Sequence, residues 1–168
     1  MGESKLVKEF GSEVELAESA GLFARTLRGH GVYPLVLGLR GELGSGKTTW
    51  ARAMLRGLGY RGRVPSPTYT LLEHYACDAL TVVHLDLYRL GGDAELENLG
   101  LRDWLADPSS WIVVEWPERA PRLAQRCDLV ITFLDTDGLG RRVVVEAATQ
   151  AGIEALKLVC HGGFKNAP

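Results

Sequence analysis

Apolar positions along this chain fall into two rhythms. Leu16, Ala20, Phe23, Ala24 and Leu27 recur at helical spacing and predict a helix that starts after Ser12 and stops at Gly29. Ser12 with Glu15 three residues on is a capping-box pattern. Trp50, Ala51, Met54, Leu55 and Leu58 repeat the helical rhythm, and Gly59 is a natural stop. Between these helices Leu35 to Leu39 is a short continuous apolar run, the form of a buried strand. Thr68 to Tyr75 and Leu80 to Leu85 are rich in strand formers and predict an antiparallel hairpin across residues 76–79. Asp93 to Leu99 and Leu101 to Leu105 read as short helices broken at Gly100. Trp111 to Val114, closed by Glu115, predicts a buried central strand. Leu129 to Leu134 and Arg142 to Ala147 predict two more strands, joined by a turn over residues 135–140. Ile153 to Val159 fits a strand or a helix turn, and His161 to Pro168 reads as frayed.

Strands and helices mixed in this way imply a three-layer α/β domain. Its sheet is expected to be parallel beside the first apolar strand and partly antiparallel elsewhere. The 168 residues suit a single core, assigned to residues 1–150, with a C-terminal tail of uncertain structure over 151–168.

One local pattern adds chemistry to that frame. Gly41-Glu42-Leu43-Gly44-Ser45-Gly46-Lys47-Thr48 matches G-x-x-x-x-G-K-[ST], set between the first apolar strand and the second helix. The glycines let backbone N–H groups turn inward around a polyphosphate. Lys47 would bring positive charge to the β- and γ-phosphates, and Thr48 a hydroxyl to Mg²⁺. The helix beginning there, with Thr49 in its first turn, aims its positive end at the same anion.

A phosphoryl-transfer site also needs an acid beside the metal and an oriented nucleophile. Two carboxylates qualify. Glu115 ends the run Trp111 to Val114, and Asp86 ends Val82-Val83-His84-Leu85. One would serve Mg²⁺ and the other the attacking water, and position alone does not divide the roles. Pro65-Ser66-Pro67-Thr68 is a stiff segment with two hydroxyls, placed where a switch would sense a γ-phosphate. His84 reads as a core histidine rather than a base. Arg52, Arg56, Arg61 and Arg63 make a basic region that is either a solvated helix face or a surface for an acidic partner. Trp116 is either packed under the site or exposed to a partner.

Composition narrows the setting. A net charge of −2 argues against a stand-alone nucleic-acid binder, and the apolar runs are too short to span a membrane. Met1 to Phe10 does not read as a secretory signal. Three widely spaced cysteines fit neither a disulfide framework nor a zinc site, which favours the cytoplasm, with Cys77 and Cys127 as buried thiols.

Five blocks together resemble the TsaE family, also called YjeE. They are Gly41 to Thr49, Ser66-Pro67-Thr68-Tyr69-Thr70-Leu71, His84-Leu85-Asp86-Leu87-Tyr88-Arg89-Leu90, Glu95-Leu96-Glu97-Asn98-Leu99-Gly100, and Val114-Glu115-Trp116-Pro117-Glu118. Order and spacing cover about residues 12–147. Glu42 and Ser45 stand where the family usually has Asp and Ala, and neither change removes a phosphate or metal ligand. The resemblance implies a Mg²⁺-dependent ATPase of tRNA threonylcarbamoyladenosine synthesis, slow until its partners complete the site. The partners it implies are TsaD and TsaB, which perform the transfer itself, so tRNA is reached through that complex. It also implies that Lys47 and Thr48 serve phosphate and Mg²⁺, that Glu115 is the second metal-side ligand, and that Asp86 and Thr68 support hydrolysis. The runner-up is a small-molecule kinase with the same loop, disfavoured because no arginine-rich lid insertion is evident. A GTPase is disfavoured because no Asn-Lys-x-Asp segment is present to read guanine. A nucleotide-gated binding module with negligible turnover shades into the TsaE-like reading.

Overall fold

The computed structural model describes residues 4–138 and 140–164. In order the elements are β1 (Lys5–Phe10), α1 (Glu13–Gly29), β2 (Leu35–Arg40), α2 (Lys47–Gly57), β3 (Leu72–Cys77), β4 (Leu80–Asp86), α3 (Asp93–Leu96), α4 (Leu101–Ala106), β5 (Ser110–Glu115), α5 (Pro121–Ala124), β6 (Leu129–Asp135), β7 (Arg141–Ala147) and α6 (Gln150–His161). Seven strands form one sheet in the order β1-β7-β6-β2-β5-β4-β3. The middle four, β6-β2-β5-β4, run parallel, and β3, β7 and β1 are antiparallel to their neighbours.

Alternation along the inner strands divides the core between two faces. Val82, Trp111 and Val113 point to the side covered by α1, α2 and α6. Val83, Leu85, Ile112 and Val114 point to the side covered by the short helices, through Leu96, Leu101 and Leu123. This is the three-layer mixed α/β arrangement that the hydrophobic pattern predicts.

Several local details differ from the sequence expectation. At the start of α1, Ser12 Oγ accepts from Glu15 N at 3.2 Å, but the Glu15 carboxylate reaches back to Gly11 N at 2.9 Å, one residue before the cap. β3 begins at Leu72 rather than Thr68. Leu71 N donates to Pro67 O at 2.7 Å and Leu71 takes φ 64°, so residues 67–71 form a turn. The hairpin link is only Asp78-Ala79, because Ala76 and Cys77 pair with Thr81 and Leu80. β1 went unpredicted: only Leu6 and Phe10 are buried in it, a four-residue spacing that shows no strand alternation.

The segment from residue 150 is a helix. Thr149 caps it by accepting from Gly152 N at 3.1 Å. Its Gly152, Ala155, Leu156 and Val159 are buried. Phe164 lies in the stretch expected to fray, yet it is 1% exposed. It packs on Phe23 and Trp50 with ring centroids 5.9 and 6.0 Å apart. Residues 165–168 lie outside the described residues.

Candidate functional site

β2 delivers the chain to the glycine loop, and α2 leaves it. Gly46 is the N-cap of α2 at φ 110°, and a Cβ there would come within 2.9 Å of Leu16 Cδ2. Gly41 takes φ 149°, and a Cβ would meet Ser45 Oγ at 2.5 Å and Phe133 O at 2.8 Å. The two positions require glycine, and α2 therefore starts with its backbone N–H groups at the loop. Trp50, on the first turn of α2, wedges against Phe133 of β6 at 5.7 Å and Phe23 of α1 at 5.7 Å, which fixes the helix on the sheet.

Lys47 is 4% exposed. Its Nζ donates to Gly41 O at 2.7 Å and Glu42 O at 2.8 Å, and stands 4.1 Å from the centre of the Trp116 ring. Burial pushes the Lys47 ammonium below its ordinary value, while the Glu115 and Asp86 carboxylates pull it back up. An anionic phosphate at this position would favour the charged form in the same direction as those carboxylates.

Asp86 and Glu115 are register partners at the ends of the parallel strands β4 and β5. Each is nearly buried, at 4% and 2% exposure. Each holds a different threonine. Thr48 Oγ1 lies 2.9 Å from both oxygens of Glu115. Thr68 Oγ1 donates to Asp86 Oδ2 at 2.7 Å, and Tyr88 N donates to Asp86 Oδ1 at 3.0 Å. Because the Thr68 proton goes to Asp86, the 2.8 Å contact from Ser66 is a donation by Ser66 to Thr68. The stiff segment is thus wired to Asp86, while the glycine loop is wired to Glu115.

These groups line a cavity of about 360 Å³, a volume in the range of small-molecule sites. Leu43 to Thr49, Ser66, Thr68, Asp86, Glu115 and Trp116 contribute to its wall. Gly41 and Glu42 do not; they stand behind it, and their carbonyls hold Lys47. Thr49 donates to Glu13 at 3.2 Å and joins the wall to α1.

The donor set suits a hard divalent cation. Among the described residues no group of three or more His, Cys, Asp or Glu is placed to hold a metal unaided. Mg²⁺ characteristically takes one or two protein oxygens and completes its shell with water and phosphate. Thr48 and Glu115 fit that demand. With its proton directed to Glu115, Thr48 keeps oxygen lone pairs for a cation.

Four contributors were missed by sequence reasoning. Arg141 of β7 donates from Nε to Ser45 O at 3.1 Å and from Nη2 to Gly44 O at 3.4 Å, bracing the loop from a strand 96 residues away. No local signal announces such a contact. Glu13 and Leu16 of α1 also reach the cavity. His84 is a buried core histidine as read, but its Nε2 lies 2.8 Å from Glu115 Oε1. Its place two residues before Asp86 on the same strand was the available signal. Trp116 follows the first of its two readings, packed at the site beside Lys47 and Tyr88 and lining the cavity. Arg52 and Arg56 are partly spent on their own chain, donating to Val64 O, Tyr60 O and Gly62 O.

A strand, glycine loop and helix beside paired strand-end acids define a P-loop nucleotide-binding protein. The comparisons make this specific. A family model described as "Threonylcarbamoyl adenosine biosynthesis protein TsaE" matches residues 8–143, and the chain belongs to that family. The Haemophilus influenzae protein named tRNA threonylcarbamoyladenosine biosynthesis protein TsaE is 37% identical over 126 residues, 75% of this chain and 78% of its own. The protein of the same name from Borreliella burgdorferi is 31% identical over 142 residues, 82% of this chain and 97% of its own. The crystal structure of Bacillus subtilis YdiB superposes with a TM-score of 0.75 at 22% identity, covering 97% of this chain and 98% of that one, which supports the fold.

Proposed function

We propose that this chain is a Mg²⁺-dependent ATPase of tRNA threonylcarbamoyladenosine biosynthesis that works with TsaD and TsaB, in the cytoplasm. The observation that supports this best is the pairing of Asp86 with Glu115, each bonded to a threonine from a different loop. In this reading the loop amides from Gly44 to Thr49 bind the polyphosphate, and Lys47 leaves its carbonyl partners to neutralise phosphate charge. Thr48 and Glu115 hold the Mg²⁺ side. The metal, when bound, screens charge on the phosphates and their leaving oxygens. Asp86 orients the attacking water, and Thr68 holds Asp86 in place. Trp116 and Leu43 limit solvent at the mouth of the cavity.

Phosphoryl transfer by such a site is positioning and electrostatics, with little covalent work for the protein. The exposed residues fit a partner-completed site: Leu43 on the cavity wall is 73% exposed, and Tyr69, next to Thr68 in sequence, is 82% exposed with Arg89 stacked 4.6 Å from its ring centre. Among the described residues no helix is long and apolar enough to cross a membrane.

The test is ATP hydrolysis measured with and without TsaB and TsaD, with candidate small-molecule phosphate acceptors run alongside. Turnover that rises with the two proteins supports the reading. Phosphate transfer to an added acceptor with no response to TsaB and TsaD would replace it with the kinase alternative.

A further inference from the structure

We propose that His84 is the positioning residue that locks Glu115 for Mg²⁺. This rests on the metal-side reading of Glu115. His84 is 0% exposed and sits on β4 facing the α2 layer, flanked on the same strand face by Val82 and Asp86. It does not join the wall of the cavity. Among the described residues the ring's one hydrogen bond runs from Nε2 to Glu115 Oε1 at 2.8 Å. Its Nδ1 is buried with no hydrogen-bond partner among the described residues.

That asymmetry points to the Nε2–H tautomer. An ionised carboxylate only accepts, so the proton of the shared bond belongs to Nε2. Nδ1 is then a bare lone pair against the core, less costly to bury than an unpaired N–H. A polar ring with an unmet acceptor still carries a burial cost that Leu or Met of similar size would not incur. Its return is at Glu115. Thr48 approaches both carboxylate oxygens at 2.9 Å and so leaves the group free to rock about its Cγ–Cδ bond. The additional bond at Oε1 removes that freedom and fixes the plane of the carboxylate, with Oε2 left to Thr48 alone. A histidine that orients a metal-side acid belongs to the outer shell of supporting hydrogen bonds, where a lost partner weakens metal affinity or activity by roughly 10–100-fold.

The test compares His84→Met, His84→Gln and Glu115→Gln. The readout is the Mg²⁺ concentration needed for half-maximal binding of a fluorescent ATP analogue, with binding in EDTA and thermal unfolding measured in parallel. Gln places an amide N–H where the ring carries Nε2–H, whereas Met fills the space without a donor. His84→Met is expected to raise the Mg²⁺ requirement about tenfold or more, with binding in EDTA unchanged and His84→Gln restoring most of the loss. A purely structural histidine would lower the unfolding temperature in both variants and leave the Mg²⁺ requirement alone, which overturns the proposal. If Glu115→Gln shifts the Mg²⁺ requirement while His84→Met does not, His84 fails and the reading of Glu115 stands. If neither shifts it, both fail. Should His84→Met not fold, nitrogen NMR of the wild-type ring decides. A proton on Nε2 and a bare Nδ1 support the proposal, and the opposite tautomer overturns it.

Discussion

Asp86→Asn separates the two acids most cleanly. Both oxygens of Asp86 are engaged, one by Thr68 Oγ1 at 2.7 Å and the other by Tyr88 N at 3.0 Å. An asparagine must keep its oxygen on the Tyr88 N–H, because that donor has no freedom to reverse. Its NH₂ then faces Thr68, whose hydroxyl must turn from donor to acceptor. A charge-assisted bond of about 1.5–3 kcal/mol becomes a neutral one of about 0.5–1.5 kcal/mol, so folding stability should fall by about 1 kcal/mol. Turnover should fall further. A positioned group acting on the nucleophile is worth roughly 10²–10⁴-fold, and the loss of charge with retained shape should cost at least tenfold, about 1.4 kcal/mol of barrier. Mg²⁺-dependent nucleotide binding should hold within about threefold, since Thr48 bonds to Glu115 and not to Asp86. Glu115→Gln should give the reverse signature. Its amide N–H would compete for the Thr48 oxygen, and the metal side would lose a full charge. The Mg²⁺ requirement should rise roughly tenfold or more. Steady-state hydrolysis with TsaB and TsaD, beside a Mg²⁺ titration of analogue binding, reads both. Wild-type turnover in Asp86→Asn, or the same Mg²⁺ shift in both variants, would refute this division of labour.

Lys47→Ala should weaken ATP-analogue binding by about 2–5 kcal/mol, the scale for losing a buried charge partner, with an unchanged far-ultraviolet spectrum; equilibrium titration checks it. Arg141→Ala frees the carbonyls of Gly44 and Ser45 and should raise KM severalfold while kcat changes less, because the guanidinium, on the cavity wall, braces the loop through those two carbonyls. Cys127 is buried and its thiol is pushed up to about 11 from 9.0 by burial. The folded state therefore holds that proton more tightly than the unfolded chain. Stability should be intact below pH 9 and fall as pH rises toward 11, by at most about 3 kcal/mol from this group. The difference between wild type and Cys127→Ala in denaturant midpoints across pH 8–11 isolates it. Docking to TsaB–TsaD should differ between an ATP analogue, ADP and no nucleotide, and Thr68→Ala should blunt the difference; equal affinities in all three states would reject a switch over residues 65–68.

What could be read from the sequence was what short-range periodicity encodes. The loop from Gly41 to Thr48 and the strand-end placement of Asp86 and Glu115 are local patterns, and the fold keeps them local. β1 and α6 were harder for a physical reason. β1 is an edge strand in which the ladder to β7 does the work, and its two buried side chains are spaced like a helix. The buried face of α6 includes Gly152 and Ala155, whose small side chains give little hydrophobic signal, though Gly152 approaches Asp128 O so closely that a Cβ would lie 2.0 Å away. Phe164 could not be placed because its partners, Phe10, Phe23 and Trp50, come from three other elements.

The geometry of this site depends on such non-local pairing as well as on the motif itself. The register of β4 with β5 sets Asp86 against Glu115, and a one-residue slip of either strand would turn its carboxylate to the opposite face. That register is held by Val82 opposite Trp111 and Val83 opposite Ile112, all buried. Trp111 is pinned further by Nε1 donating to Val32 O at 2.7 Å, at the far end of the sheet from the acids. The pairing of these two carboxylates therefore rests on apolar packing well away from the cavity, with one indole hydrogen bond beside it. Trp111→Phe keeps one aromatic ring but removes that bond and part of the buried volume, and should cost roughly 1 kcal/mol or more of stability, in part by leaving the Val32 carbonyl without its indole donor. If the strands then keep their register, turnover per folded molecule is unchanged. A drop in kcat beyond the loss of folded protein, read by active-site titration, would show instead that the indole hydrogen bond helps to hold Asp86 and Glu115 in alignment.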